Sequence, residues 1–475
     1  MRNCAAAAPE ARFVLGANTA RNETVQLIQQ AKPRTLLQLP SMTDTKVYAG
    51  RRAALLAQMQ SGIAIVPTAP QRVRNRDSEY LYRYDSYFYY LCGFQEPDAV
   101  LVLIAGAAPQ SLLFCREKNL ERETWDGFRY GPDAAKEIFG VDAAYPIAQL
   151  DEKLPLLMAN QPALHYAPGM DADWDARVMR WLNQVRAQSR TGVSAPQRIH
   201  DVRALLDEMR LIKDGQELAL MRRAAGISAQ AHVRAMRATR PGKMEYEIEA
   251  ELQYEFRRNG AQFPAYWPIV AGGANACVLH YSDNQARLDD GALLLIDAGC
   301  ELDGYASDIT RTFPVNGKFT GPQKDVYELV LAAQAAAIAA TRPGAAWDAP
   351  HEAAVRALAQ GMIDFGLCQG SLDQVLESGA YKRYYMHRTG HWLGLDVHDA
   401  GEYKIEGKWR PLVAGMTLTV EPGCYIRAAA DVPQAYWDIG VRIEDDVLVT
   451  ADGCELITVA TPKSVADIEA LVGRD

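Results

Sequence analysis

Hydrophobic positions along this chain follow two alternating rhythms. Residues 42–62, MTDTKVYAGRRAALLAQMQSG, carry apolar side chains at helical spacing, and the apolar run IAIVP at 63–67 follows at strand length. Residues 74–106, RNRDSEYLYRYDSYFYYLCGFQEPDAVLVLIAG, end on a second apolar strand, while the aromatic-rich stretch from Tyr80 to Tyr90 predicts a strand or sheet edge that packs aromatic faces. Strands and helices continue to alternate to about residue 190, the pattern of an α/β domain. SRTGVSAPQR at 189–198 is polar and punctuated by Gly and Pro, which marks the approach to a linker and places a boundary near 205–215.

The second half opens on a long helical pattern at 208–242, in which Asp214 is the expected N-cap and Pro241-Gly242 the stop. Arg222, Arg223, Arg234 and Arg237 fall on what reads as its solvated face. A second helix, MEYEIEAELQYEFRRNG, precedes the strand-like runs that contain His280, Asp297 and Asp308. The order then recurs, with helices at 323–341 and 349–365 followed by the runs MTLTVEPG and VRIEDDVLV. Two helix-pair-plus-strand halves are therefore predicted to face one another. The class is α/β (α+β), in three segments: a variable extension at 1–41, a first domain at 42–210 and a second at 211–475.

Composition narrows the functions available. A chain of 475 residues exceeds one hydrophobic core. Fifty basic against 59 acidic residues give a net charge of −9 without a basic block, which argues against nucleic acid and anionic membranes as partners. No apolar run approaches the length of a membrane span, and the four alanines near the N-terminus are too short for a secretory signal, so residues 1–41 are expected to be an extension or a product of start-site choice. The eight cysteines lack any C-x-x-C pair and read as reduced thiols of a cytoplasmic protein. Cys424, close behind Glu421, is expected to be open to oxidation.

The candidate chemistry lies in acids placed against apolar strands. Asp297 ends the run at 292–298, Asp308 sits in an extended stretch beyond a turn, Glu421 closes MTLTVEPG before Pro422-Gly423 stops it, and Glu444 interrupts VRIEDDVLV. A carboxylate buried without a partner is costly, and a cation answers the cost. His391 joins these four acids to make a hard, oxygen-rich donor set that suits a pair of divalent ions such as Mn²⁺ better than structural zinc. Three of the eight histidines, His387, His391 and His398, fall in MHRTGHWLGLDVHD, and His280 lies in CVLHYSD; one is expected as a ligand and the others as proton or oxyanion partners. His165, His200, His232 and His351 read as structural. Alternation sends Asp445 to the opposite face from Glu444, and Asp446 falls near the strand exit.

From about Asp214 to Thr450 the chain resembles the pita-bread metallopeptidases. IDAGCELDGYASDITRTFPVNGKF, HWLGLDVHD, LTVEPGCYI and GVRIEDDVLVT are most similar to bacterial aminopeptidase P, the Xaa-Pro aminopeptidases. The resemblance implies a creatinase-like N-terminal domain and a pita-bread catalytic domain with pseudo-twofold halves. It also implies ligand roles: Asp297 chelates one ion, Asp308 and Glu444 bridge both, His391 and Glu421 complete the other, and a bridging hydroxide is the nucleophile. His398 or His280 would stabilise the oxyanion, and Glu421 would shuttle a proton. His387 and Arg442 would hold the residue after the bond, and Tyr266 would line the pocket beside Trp267, where no fixed family residue is expected.

The expected substrates are peptides with proline second. Prolidase, which cleaves only Xaa-Pro dipeptides, and non-catalytic pita-bread peptide binders are the alternatives; methionine aminopeptidase is generally shorter. The resemblance further implies a homo-oligomer, dimer or tetramer, in which Asp77 and Trp125 reach a neighbour's site. The plainer reading is that Asp77 caps a turn and Trp125 packs within its own domain.

Overall fold

The computed structural model describes residues 45–474. The extension expected at 1–41 lies outside them.

Helix α1 (Thr45–Met59) leads into β1 (Gly62–Pro67), and α2 (Ser86–Cys92) precedes the antiparallel strands β2 (Val100–Ala105) and β3 (Gln110–Cys115). The short helix α3 (Leu120–Asp126) and then α4 (Gly131–Phe139), β4 (Ala143–Pro146), α5 (Leu150–Met158), β5 (Ala163–Tyr166), α6 (Ala172–Arg186), β6 (Arg198–Asp201) and α7 (Arg203–Leu211) complete this unit. Its six-stranded mixed sheet has the order β4-β3-β2-β1-β5-β6. Side chains alternate along each strand, so neighbouring residues enter different cores. Ala64, Leu101, Leu103 and Leu113 pack with Leu55 and Phe88 on one face, whereas Ile63, Ile65, Val102 and Phe114 pack with Leu154, Trp181 and Leu182 on the other. Helices on both faces explain why the central strands read as continuous apolar runs.

The aromatic stretch is not a strand. Asp85 caps α2 by accepting from Phe88 N, and Gly93, at φ 68°, ends it. Arg51 and Arg52 of α1 are buried and donate to the Tyr90 and Leu91 carbonyls at 3.2 and 3.0 Å, supplying cations at the helix C-terminus. Local capping and these tertiary donors override the β preference of the aromatic residues.

The second unit begins with the helix pair α8 (Gly215–Ala238) and α9 (Glu245–Arg258), with Asp214 forming the capping box of α8. Arg222 of α8 is exposed and pairs with Glu455, and Arg234 pairs with Glu251. Then come β7 (Phe263–Pro264), β8 (Ile269–Gly272), β9 (Leu293–Asp297), β10 (Cys300–Leu302), β11 (Tyr305–Ala306) and β12 (Thr310–Pro314). A second helix pair, α10 (Gly321–Ala340) and α11 (Ala349–Asp364), precedes β13 (Thr417–Val420), β14 (Gly423–Ile426), β15 (Ile439–Arg442), β16 (Asp445–Val449) and β17 (Cys454–Leu456). The antiparallel sheet β8-β9-β12 belongs to one half and β13-β16-β17 to the other. One core spans both, uniting Ile248, Ile296, Val330, Leu358, Val420 and Val447. Among the described residues, no helix is long and apolar enough to cross a membrane.

Three local expectations are corrected. Asp308 lies in the link at 307–309 between β11 and β12 rather than within a strand. Pro422-Gly423 interrupts the chain only briefly, because Gly423 already begins β14. VRIEDDVLV is two strands, since β15 pairs with β14 whereas β16 pairs with β13. Ile443 and Glu444 form the crossover.

A buried polar knot ties α7 to the loop after His398. Asp399 accepts from Arg210 at 2.5 Å and from Lys213 at 2.8 Å, with all three side chains 1% exposed. Burial acts to raise the Asp399 carboxyl, but Lys213 and Arg210 outweigh it and hold the group below the usual carboxylate range. Asp399→Ala leaves the buried Lys213 without a carboxylate and the buried Arg210 with only the part-exposed Asp396, at 2.8 Å, and is predicted to cost about 3–5 kcal/mol in urea unfolding. The Asp399 contribution is complete above the unfolded carboxylate value near pH ~4 and disappears as pH falls through the lower folded value. The gap between wild type and variant should therefore close on acidification below about pH 4.

Candidate metal centre

Two strand junctions, one from each half, build the site. In the first half, β9 pairs with β12 so that Asp297 lies opposite Thr310. The link carrying Asp308 folds against Gly299, where an added Cβ would stand 1.7 Å from the Ser307 carbonyl oxygen. Only glycine permits that approach. In the second half, the segment before His391 lies against β13, and a Cβ on Gly390 would come within 2.1 Å of the Thr419 carbonyl oxygen. Thr419 N donates to the His391 carbonyl at 3.0 Å, and Glu421 N donates to that of Thr389 at 2.8 Å. The halves join where Glu444 N donates to the Thr310 carbonyl at 3.0 Å and Thr312 Oγ1 to the Arg442 carbonyl at 3.0 Å. The crossover between β15 and β16 thus delivers Glu444 to the acids of the first half.

Asp308, His391 and Glu444 present donor atoms that all lie within 4.8 Å of one another. Glu421 borders this group, with Oε1 3.8 Å from His391 Nε2, and Asp308 Oδ2 is 3.5 Å from the same nitrogen. Asp297 joins through the Tyr266 hydroxyl, which donates to Asp297 Oδ1 at 2.5 Å and also contacts Asp308. The other Asp297 oxygen accepts from Arg442 Nη2 at 2.6 Å. Arg442 also donates to the Tyr425 hydroxyl at 2.9 Å and to Thr310 Oγ1 at 3.2 Å, and Thr310 donates to Glu444 at 2.7 Å.

This arrangement fits divalent cations in two respects. His391 Nδ1 donates to the Trp392 carbonyl at 2.9 Å, which leaves the Nε2 lone pair directed at the carboxylates, the tautomer a metal requires. The acids are also crowded beyond what the one buried cation among them, Arg442 against Asp297, compensates. Burial, reinforced by Asp297, pushes Asp308 well up, and burial with Asp308 beside it does the same to Glu444. Burial and the neighbouring Glu444 push Glu421 up to about 8. Cations placed among these groups restore their ionised forms.

The remaining predicted residues separate clearly. His280, His387, His398, Tyr266 and Arg442 line the same cavity of about 670 Å³ as the five candidate ligands. Burial, with Arg442 nearby, lowers His387 to about 3, so its ring is neutral. Its Nδ1 donates to the Arg388 carbonyl at 2.7 Å, and its Nε2 accepts from the Tyr425 hydroxyl at 2.8 Å. Both nitrogens are therefore engaged within the protein. His398 stands edge-on to His391 with ring centres 4.3 Å apart, and burial together with His391 and His280 lowers its pKa. Trp267 lines the outer part of the cavity and donates to the Ser282 carbonyl at 3.2 Å.

Asp77 and Trp125 do not line this cavity. Asp77 sits in the turn of an exposed hairpin, Val73–Asn75 with Ser78–Glu79. Trp125, on α3, is 80% exposed and does not pack within its own domain. Cys424 is fully buried and burial raises its thiol, so the expected sensitivity to oxidation is not supported by its surroundings.

Sequence reasoning undervalued Asp445 and Asp446. Asp445 does turn away from Glu444, but into a buried network with Arg311 at 2.8 Å, Lys463 at 2.6 Å and Thr458 at 2.8 Å. Asp446 accepts the Asp308 backbone N–H at 3.1 Å and thereby orients the Asp308 link. An acidic pair inside an apolar strand was the available signal, since neither acid is tolerable there without donors. Tyr425, Thr310 and the aromatic wall of Trp347, Tyr403 and Trp409 carried no comparable signal.

Comparisons with known proteins find relatives for both domains of the chain. The model of metallopeptidase family M24 matches residues 219–451, and that of the aminopeptidase P N-terminal domain matches 48–165. An Xaa-Pro aminopeptidase of Haemophilus influenzae is 45% identical over 424 residues, covering 89% of this chain and 96% of that protein. The structure of the Pseudomonas aeruginosa aminopeptidase PepP superposes with a TM-score of 0.89 at 52% identity, covering 90% of this chain and 98% of that one. A zinc-substituted Escherichia coli aminopeptidase P in complex with product superposes with a TM-score of 0.88 at 44% identity, covering 91% and 98%.

Asp445→Ala isolates the support beneath the crossover from the acids above it. Burial acts to raise Asp445, but Arg311 and Lys463 outweigh it and hold the carboxyl below its usual range. Removing it strands the buried Arg311 guanidinium and should destabilise the fold by about 3–5 kcal/mol in denaturant unfolding. A loss below about 1 kcal/mol would show that the pair does not support the crossover.

Proposed function

The chain belongs to the aminopeptidase P branch of metallopeptidase family M24, and on that premise we propose that it hydrolyses the bond between an N-terminal residue and a following proline. The observation that carries the reading is the convergence of Asp308, His391 and Glu444, flanked by Asp297 and Glu421, on one cavity. Two divalent cations would be held there: Asp297 on one, His391 and Glu421 on the other, with Asp308 and Glu444 shared. When bound, they supply Lewis acidity toward the scissile carbonyl and an activated water at neutral pH. Four carboxylates and one imidazole favour hard cations, and manganese is the proposed native metal.

The chain's own residues supply the rest. Arg442 and Tyr266 hold Asp297 in a single orientation through donors on each of its oxygens. His280 and His398 line the cavity beside the donor set, where they meet charge developing on the carbonyl oxygen. An Xaa-Pro bond is a tertiary amide with no N–H, so the site must work without that donor. The leaving nitrogen departs as a secondary amine and needs a proton. Glu421, at the margin of the acid group and 3.7 Å from His387, is placed to carry it. His387 and Arg442, on the adjoining wall, bound the space for the proline ring.

The proposal includes self-association and a cytoplasmic location. Leu120, Trp125 and Phe128 are exposed on α3 and its exit, as are Tyr80 and Leu81 beside the Asp77 hairpin. Glu79, Arg122 and Asp126 border one depression between these elements. An exposed apolar surface of this kind suits a second copy of the chain, with Asp77 and Trp125 offered to its neighbour. Among the described residues seven cysteines are free, six of them buried, which supports a reducing compartment.

Glu444→Gln should reduce kcat/KM by more than about a hundredfold, since even residues that only orient metal ligands are worth 10–100-fold. Elemental analysis should find two divalent cations per wild-type chain. Full turnover by the variant with both metals retained would remove the assignment, and wild type that binds no metal would favour a peptide-binding protein.

Substrate length separates this reading from prolidase. A dipeptidase must commit a cation to the proline carboxylate and lose it when the chain continues. Xaa-Pro-Xaa tripeptides and longer peptides should be cleaved with release of only the first residue, and N-acetylation should block the reaction. Matched kcat/KM values for Xaa-Pro and Xaa-Pro-Xaa decide the point, and exclusive cleavage of the dipeptide would assign the chain to prolidase.

A further inference from the structure

The cavity is electrically asymmetric. Its acids, Asp297, Asp308, Glu421 and Glu444, share a wall system with Arg388, Tyr403 and Trp409. The Arg388 guanidinium carbon lies 4.9 Å from the centre of a Trp409 ring, and Lys404 Nζ lies 4.2 Å from the same side chain. Arg442, the other arginine of the cavity, is buried and held by Asp297 at 2.6 Å. Arg388 is exposed and forms no ion pair among the described residues.

Stacking on Trp409 positions Arg388 without neutralising it, because an aromatic face attracts a cation through its quadrupole and carries no net charge. The planar guanidinium retains donors in the fork geometry that takes a carboxylate with two parallel hydrogen bonds. The backbone beneath it is restrained on both sides: the Arg388 carbonyl accepts from His387 Nδ1 at 2.7 Å, and the Thr389 hydroxyl contacts His351 at 2.8 Å and Tyr385 at 2.6 Å. A peptide has matching polarity. Its free amine is attracted to the acidic part of the cavity, while any carboxylate further along is attracted to the cationic part.

Building on the aminopeptidase reading, we infer that Arg388, stacked on Trp409, is a specificity-determining residue that binds a carboxylate of the peptide beyond the scissile bond. That carboxylate is either the C-terminus of a short peptide or the side chain of an acidic residue after proline.

The test uses the metal-loaded enzyme and two matched pairs: Xaa-Pro-Ala as free acid and C-terminal amide, and Xaa-Pro-Glu-amide against Xaa-Pro-Gln-amide. Wild type should favour the carboxylate member of at least one pair by about tenfold in kcat/KM, in line with a hydrogen bond to a charged group. In Arg388→Gln the ratio should fall close to one. Arg388→Lys, which keeps the charge and loses the fork, should retain an intermediate ratio. A response confined to the first pair identifies the C-terminus, and one confined to the second identifies the acidic side chain. A wild-type ratio near one in both pairs, or a ratio unchanged in Arg388→Gln, overturns the inference. Cleavage of the amides by wild type tests the aminopeptidase reading separately. If no peptide were cleaved, the same ratios would be read from calorimetric dissociation constants.

Discussion

Mutual repulsion among buried carboxylates is the constraint on which this structure turns. Asp308 and Glu444 are buried and share a site with Asp297 and Glu421, and burial among like charges pushes Asp308, Glu444 and Glu421 toward protonation. No packing of apolar side chains compensates charges of like sign at this separation. The protein supplies part of the compensation itself, through Arg442, Tyr266 and Thr310. The remainder is the electrostatic basis for binding divalent cations, and family membership points the same way.

The two-half architecture makes such crowding possible. A single sheet would spread acids along its edge, whereas facing junctions bring Asp297 and Asp308 from one half against Glu421 and Glu444 from the other. The change of partner between β15 and β16 is central, because it places Glu444 at a crossover instead of on a sheet face. Arg311, buried and bonded to Asp445 and to the Glu444 carbonyl, holds that crossover from beneath. Asp446 restrains the Asp308 link from the same strand. The acids nearest the candidate metal positions are thus supported by neighbouring acids with their own donors, and the two sets divide the charge between binding and structure.

The cavity walls set a second asymmetry. Acidic groups concentrate where the candidate ligands meet, and aromatic rings with cations at Arg388 and Lys404 lie along another part of the opening. A small polar peptide entering this field is oriented before any close contact forms, since complementary charge acts at longer range than packing. The aromatic surfaces give that orientation a rigid frame at low conformational cost.

Much of this was legible in the chain because charges in apolar strands are rare and demand an explanation. Asp297 and Glu421 stood out at strand ends, His391 and His398 by clustering, and the helix-pair repeat by its 3.6-residue period. Those signals depend on local alternation and composition, which a single sequence displays directly. Tertiary structure alone decided that the aromatic run at 80–90 contains a helix, since the Arg51 and Arg52 donors come from α1. It also decided that VRIEDDVLV divides at Glu444, because strand partners are chosen across long sequence separations. The roles of Asp445, Asp446 and Arg388 were equally hidden: a charge beside an apolar pattern looks the same whether it meets Arg311, a backbone N–H or the face of Trp409. Sequence revealed which groups required partners, and the fold determined the partners, because pairing depends on distance in space rather than order along the chain.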